Sequence, residues 1–170
     1  MKKISVIIFS FVLIFNTLAQ DATTTFYNPS KSISFDVISK WEAAGNMKGI
    51  ELFLTKIENA SSPTILTCSK EKNVESKYNL DTYYASKINL QLSVLKGEPI
   101  ASNDLKVGDY DAKSIEYSYL NTELEDITTK IVIIFYKGDA YQFTASCLSK
   151  NYTDNFVIFN HFFDNFKFIN

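Results

Sequence analysis

The sequence predicts an α+β fold built on an antiparallel sheet of about six strands. Three observations predict it. In SISFDV, residues 32–37, Ile33, Phe35 and Val37 alternate with Ser32, Ser34 and Asp36, the period of a strand with one buried face. IVIIFY, residues 131–136, is apolar at both parities and belongs at the centre of a sheet covered on both sides. Two further segments, residues 79–95 and 151–166, carry apolar side chains at helical spacing.

Residues 1–19 read as a secretory signal peptide. Lys2 and Lys3 precede the apolar run from Ile4 to Phe15, and Thr17 and Ala19 supply the small side chains of a peptidase site. The run is shorter than the roughly 20 residues of a spanning helix. The expected product, cleaved near Ala19, is exported, periplasmic or secreted, with no transmembrane segment in the mature chain. Residues 20–25 are expected to be a flexible lead-in, and residues 26–170 one domain, long enough to bury a core.

Phe26 and Tyr27 begin a short strand, and Asn28-Pro29-Ser30-Lys31 has turn chemistry. Trp41, beyond the next strand, is expected to plug one end of the core. GIELFLTKI (49–57) and PTILTCSK (63–70) form a hairpin across ENASS. Asn79 caps the first helix and Asp81 lies in its first turn, favourable against the helix dipole. Its apolar stripe is Leu80, Tyr84, Ile88 and Leu95, with Tyr83, Leu90 and Val94 beside it, and Gly97 and Pro99 end it. Three strands follow, residues 109–120, 126–138 and 140–149, the last two joined by a tight turn at Lys137-Gly138-Asp139. In the C-terminal helix Tyr152, Phe156, Phe159, Phe163 and Phe166 share one arc, and His161 lies opposite, toward solvent.

Hydrophobic residues are 46% of the chain and aromatics 15%, which excludes global disorder. All 17 basic residues are lysine. Once Lys2 and Lys3 leave, 15 lysines face 19 acidic residues, a net charge of −4. That balance argues against nucleic acid as a partner. The absence of arginine also removes the planar fork that grips phosphate bidentately.

The element order is joined by local wording: FYNPSKSISFDVISKW, NLDTYYASKIN, VGDYDAKSIEYSY, KGDAYQFTAS and FFDNFKF. In this combination the chain resembles the PsbP-like superfamily, with its DcrB-type and Mog-type members, over nearly all of the mature sequence. The resemblance implies an α/β/α sandwich, an antiparallel sheet with helices on both faces. It also makes the SISFD strand and Trp41 the family's entry strand and its tryptophan turn. Family members often place proline and glycine around that tryptophan, where this chain has Ile38 and Lys40. Their roles include photosystem accessory subunits, envelope proteins and a small-GTPase partner, so a shared fold leaves the function open.

No catalytic constellation is legible. His161 has no nucleophile pattern beside it, and there is no GxSxG, P-loop or dinucleotide fingerprint. Glu116, Glu123, Glu125 and Asp126 flank a hairpin without the signature of a paired-carboxylate site. Cys68 and Cys147 show no zinc spacing. In an exported chain they are a possible disulfide, or alternatively two buried thiols. Asn103, Asp104, Asp109 and Asp111 are oxygen candidates for calcium, although Gly108-Asp109 is equally good turn chemistry. Tyr117, Tyr119 and Tyr136 either line a binding surface or cap the core beneath a helix. No cofactor is implied. The expected role is that of an exported, non-enzymatic accessory or binding domain for a protein or envelope component. The alternative is a small-ligand-binding protein or hydrolase with a site dispersed over Asp, Glu and Tyr residues.

Overall fold

A computed structural model describes residues 23–28, 32–38, 41–43, 49–56 and 63–169. The expected signal peptide, residues 1–19, and its cleavage site lie outside them. Among the described residues the strands are β1 (Thr23–Tyr27), β2 (Ile33–Ile38), β3 (Trp41–Ala43), β4 (Ile50–Lys56), β5 (Ile65–Glu71), β6 (Glu98–Val107), β7 (Tyr110–Leu120), β8 (Asp126–Tyr136), β9 (Asp139–Leu148) and β10 (Lys167–Phe168). Helix α1 (Leu80–Leu95) separates β5 from β6, and α2 (Tyr152–Asp164) precedes β10. Seven strands form one sheet in the order β3-β4-β5-β9-β8-β7-β6, and β1-β2-β10 form a small second sheet. The pairings among these strands are antiparallel.

Strand β8 is buried on both faces, as its unbroken apolar run requires. On one side Ile131 and Ile133 join Ile115 and Tyr117 of β7 beneath Tyr83 and Ile88 of α1. On the other, Val132 and Ile134 join Phe143, Ala145 and Cys147 of β9, Leu66 and Cys68 of β5, and Phe159, Phe162 and Phe163 of α2. The helices therefore cover opposite faces of the large sheet. The alternating residues Ile33, Phe35 and Val37 enter the α2-side core, where Phe35 stacks on Phe162 at 5.4 Å. Each large apolar side chain so enclosed contributes about 2 kcal/mol. Lys137 (φ 51) and Gly138 (φ 85) make the left-handed pair that a two-residue hairpin turn needs between β8 and β9.

Several expectations are corrected. Strand β1 begins at Thr23, inside the segment read as a flexible lead-in, because it pairs with β2 along its whole length. Trp41 starts β3 and pairs with Lys56 of β4 as well as being buried. The segment after Gly97, assigned to no element from its sequence, is a ten-residue strand at the sheet edge, Glu98–Val107. Helix α2 packs against both β2 of the small sheet and β9 of the large one. It therefore buries more than one arc. Phe162, outside the expected stripe, is fully buried, whereas Phe156 is 40% exposed. His161 is half-buried rather than solvent-facing, with its Nε2 atom enclosed. On α1, Leu90 and Val94 flank the stripe but point outward, 65% and 72% exposed.

Lys96 closes α1 in the left-handed region, and the Gly97 N–H donates to the Leu92 carbonyl at 2.9 Å. The absence of a side chain at Gly97 lets the chain turn tightly over β7. A Cβ there would stand 2.9 Å from Leu92 Cδ2 and 3.0 Å from Tyr117 Cδ2. Tyr117 is almost fully buried and has nowhere to retreat. Gly97→Ala is expected to destabilise the domain by about 1–3 kcal/mol in urea unfolding, through overpacking.

Candidate functional site

Val74 is buried and anchors the segment between β5 and α1, and its carbonyl accepts the N–H groups of Lys77 and Tyr78. The Glu75 N–H donates to the Gly138 carbonyl at 3.2 Å, and the Asn73 N–H donates to Asp139 Oδ1 at 2.9 Å. These bonds tie the segment to the β8–β9 turn. Asn79 then caps α1, its Oδ1 accepting from the Thr82 N–H at 2.9 Å. The start of α1 is thus held above the far end of the β6–β7 hairpin.

Between them runs a groove made of two adjoining concavities, of about 510 Å³ and about 400 Å³, that share Asn79, Leu80 and Asp111. Its apolar wall includes Tyr78 and Phe135. Five carboxylates line it, those of Glu75, Asp81, Asp104, Asp109 and Asp111, against one ammonium, Lys113. Lys113 Nζ lies 2.6 Å from Asp104 and 2.7 Å from Asp81, and these bonds raise its pKa. On the same strand pair Lys106 reaches Asp111 at 3.4 Å. The carboxylate side chains of Asp81, Asp104 and Asp111 are 75%, 83% and 80% exposed. Wet, lysine-paired carboxylates of this kind attract cations. They lack the dry enclosure that turns a carboxyl into a general acid.

No protein-family model matches the sequence, and no curated protein matches it. Solved structures do. Cyanobacterial PsbP (CyanoP) from Synechocystis superposes with a TM-score of 0.64 at 11% identity, covering 90% of this chain and 96% of that one. The Ran-binding protein Mog1p of Saccharomyces cerevisiae gives 0.63 at 8% identity, covering 88% and 97%. LpqN of Mycobacterium tuberculosis, involved in cell envelope biogenesis, gives 0.59 at 14% identity, covering 88% and 91%. The chain has the PsbP-like fold. At such identities the likeness carries the fold alone.

Within this PsbP-like domain the residues singled out from the sequence fall in different places. The calcium candidates do not converge: Asn103 and Asp104 are on β6, Asp109 is in the turn and Asp111 is on β7. Register sets Asp104 opposite Lys113 and Lys106 opposite Asp111, so lysines occupy the positions further ligands would need. Among the described residues no group of three or more His, Cys, Asp or Glu side chains is placed to hold a metal ion. Glu116 pairs with Lys130 at 3.3 Å on the α2 side, and Glu123 and Glu125 are engaged around Asn121 at the β7–β8 turn. Tyr117 caps the core beneath α1, while Tyr136, on the other face, stacks on Phe168 at 3.8 Å. No helix among the described residues is long and apolar enough to cross a membrane.

Cys68 and Cys147 are buried on the neighbouring strands β5 and β9. Cys68 stands opposite Phe143, whereas Ile65 stands opposite Ser146, which puts Cys147 level with Thr64. Four residues of strand separate the cysteines, about 13 Å, beyond the roughly 7 Å limit for a bridge. The disulfide is thus replaced by two separate thiols, and burial pushes the Cys68 thiol well up. Thiol titration is expected to find almost no reaction in the native domain and two equivalents after denaturation.

The Lys70–Asp139 ion pair, 2.7 Å long and mostly enclosed, fixes the turn from which the groove's wall is hung. Burial would raise the Asp139 pKa, but the Lys70 ammonium and the Asn73 N–H outweigh it and hold the carboxyl below its usual value. Burial would likewise lower Lys70, yet Asp139 and Tyr141 raise it. The contribution of Asp139 is full above its unfolded pKa of about 3.9 and fades as pH falls through the lower folded value. That of Lys70 is full below about pH 10.4 and fades above it. Asp139→Asn is expected to cost about 1 kcal/mol at pH 7, with the gap to wild type closing in acid-unfolding curves only as pH falls below the ordinary carboxylate range.

Proposed function

We propose that this PsbP-like domain is an exported, non-enzymatic accessory domain that binds a cationic segment of a partner protein in the groove beside α1. The observation that carries this reading is the groove's charge: five carboxylates beside an aromatic wall, against the ammonium of Lys113 and that of Lys106, which pairs with Asp111. A lysine- or arginine-bearing strand or loop would meet opposite charge along the rim and apolar surface within. The mature chain's net charge of −4 favours encounter with the same class of partner. Two fold neighbours lend support: Mog1p is Ran-binding, and LpqN is involved in cell envelope biogenesis. The N-terminal sequence supplies the export.

A fluorescent lysine-rich peptide tests the groove. Anisotropy is expected to show saturable, salt-weakened binding. The double variant Glu75→Gln/Asp109→Asn should bind roughly tenfold more weakly at low salt. Equal binding by variant and wild type would place any interaction elsewhere.

A further inference from the structure

Strand β6 ends the large sheet, and its outer edge pairs with no other strand among the described residues. It is ten residues long and largely exposed. Edges of this length are usually blunted against association. Here the backbone is interrupted at one end only: Pro99 removes a donor, and the ladder with β7 is irregular between Pro99 and Ala101. From Ala101 to Val107 the pairing with β7 runs without a break. This half of the strand presents regular backbone donors and acceptors toward solvent.

Its side chains say what would fit. Asp104 and Lys106 lie on the α1 side of the sheet, 83% and 71% exposed, with Leu105 between them on the opposite side. We propose that two copies of this chain pair antiparallel along the outer edge of β6, with the two-fold axis at Leu105. That register sets Asp104 opposite the partner's Lys106, and Lys106 opposite the partner's Asp104. Directly opposed residues on one face approach within about 5 Å. Centring the axis on Asp104 or on Lys106 would instead set like charges together.

The intrachain pairs extend the pattern. Lys113 of β7 faces Asp104, and Asp111 of β7 faces Lys106, at 2.6 Å and 3.4 Å. Across the seam each row reads Lys113, Asp104, the partner's Lys106 and the partner's Asp111. The charges alternate over four strands with no like neighbours. On the other face Leu105 meets the partner's Leu105. A two-fold axis normal to the sheet keeps both α1 helices on one side, so the two grooves open in the same direction. The proposal goes beyond the groove's binding role and does not require it.

Sedimentation of the exported chain over a range of concentrations, without any peptide, tests the pairing. Wild type is expected to be a dimer that dissociates on dilution and in high salt. Asp104→Lys and Lys106→Glu should each weaken it by roughly tenfold or more, since each sets like charges together twice. Mixed in equal amounts, the two variants should recover a dimer. The lysine introduced in one copy then faces the glutamate introduced in the other, and the unchanged Lys106 of the first faces the unchanged Asp104 of the second. A wild type that stays monomeric at millimolar concentration overturns the proposal. So does a dimer that persists in both single variants, or a mixture that remains monomeric.

Discussion

The pairing of β8 with β9 is the constraint on which the rest depends. Strand β8 has no face it can show to water, so each side of the large sheet needs a cover. Helix α1 supplies one cover. Helix α2 and the small sheet supply the other. The left-handed Lys137-Gly138 turn fixes the register, and a one-residue slip would send every inward side chain of β9 to the wrong core. The groove inherits its geometry from this choice, because α1 can begin only where the segment bound to that turn delivers it.

Charge in this molecule is handled without arginine. Three enclosed lysines, Lys70, Lys113 and Lys130, each lie between a carboxylate and a ring. Lys70 joins Asp139 and lies 5.1 Å from the centre of Tyr141, and Lys113 joins Asp104 and lies 5.8 Å from that of Tyr84. Lys130 combines Glu116 with the rings of Phe156 and Phe163. The flexible lysine stem packs along aromatic surface while its head stays paired. In the groove Lys113 takes Asp81 and Asp104 and Lys106 takes Asp111, which leaves Glu75 and Asp109 as the acids of its lining without a lysine pair among these.

The elements legible in the sequence were those whose own periodicity carries them. SISFDV, IVIIFY and the turn at Gly138 each state their environment locally, and the capping of α1 by Asn79 does too. EPIASNDLKV does not. It contains proline, serine, asparagine and aspartate with little alternation, and becomes β6 only because β7 offers a partner. Helix α2 looked one-faced because a single sequence does not reveal that two sheets flank it. The groove was hidden for a related reason. Its walls come from residues 75–81, 104–113 and 135, which only the folded topology brings together. Asp104 and Asp111 were visible as acids, but the lysines opposite them were not.

The small sheet joins the two termini of the domain. Strand β2 lies between β1 and β10, and the Ile169 N–H donates to the Ser32 carbonyl at 2.7 Å. The opening hairpin therefore gains its last neighbour only when the final residues have been synthesised. Until residues 167–169 arrive, the ribbon of β1 and β2 keeps its β2 edge open, and the clasp between the two ends of the fold closes after the large sheet has its strands.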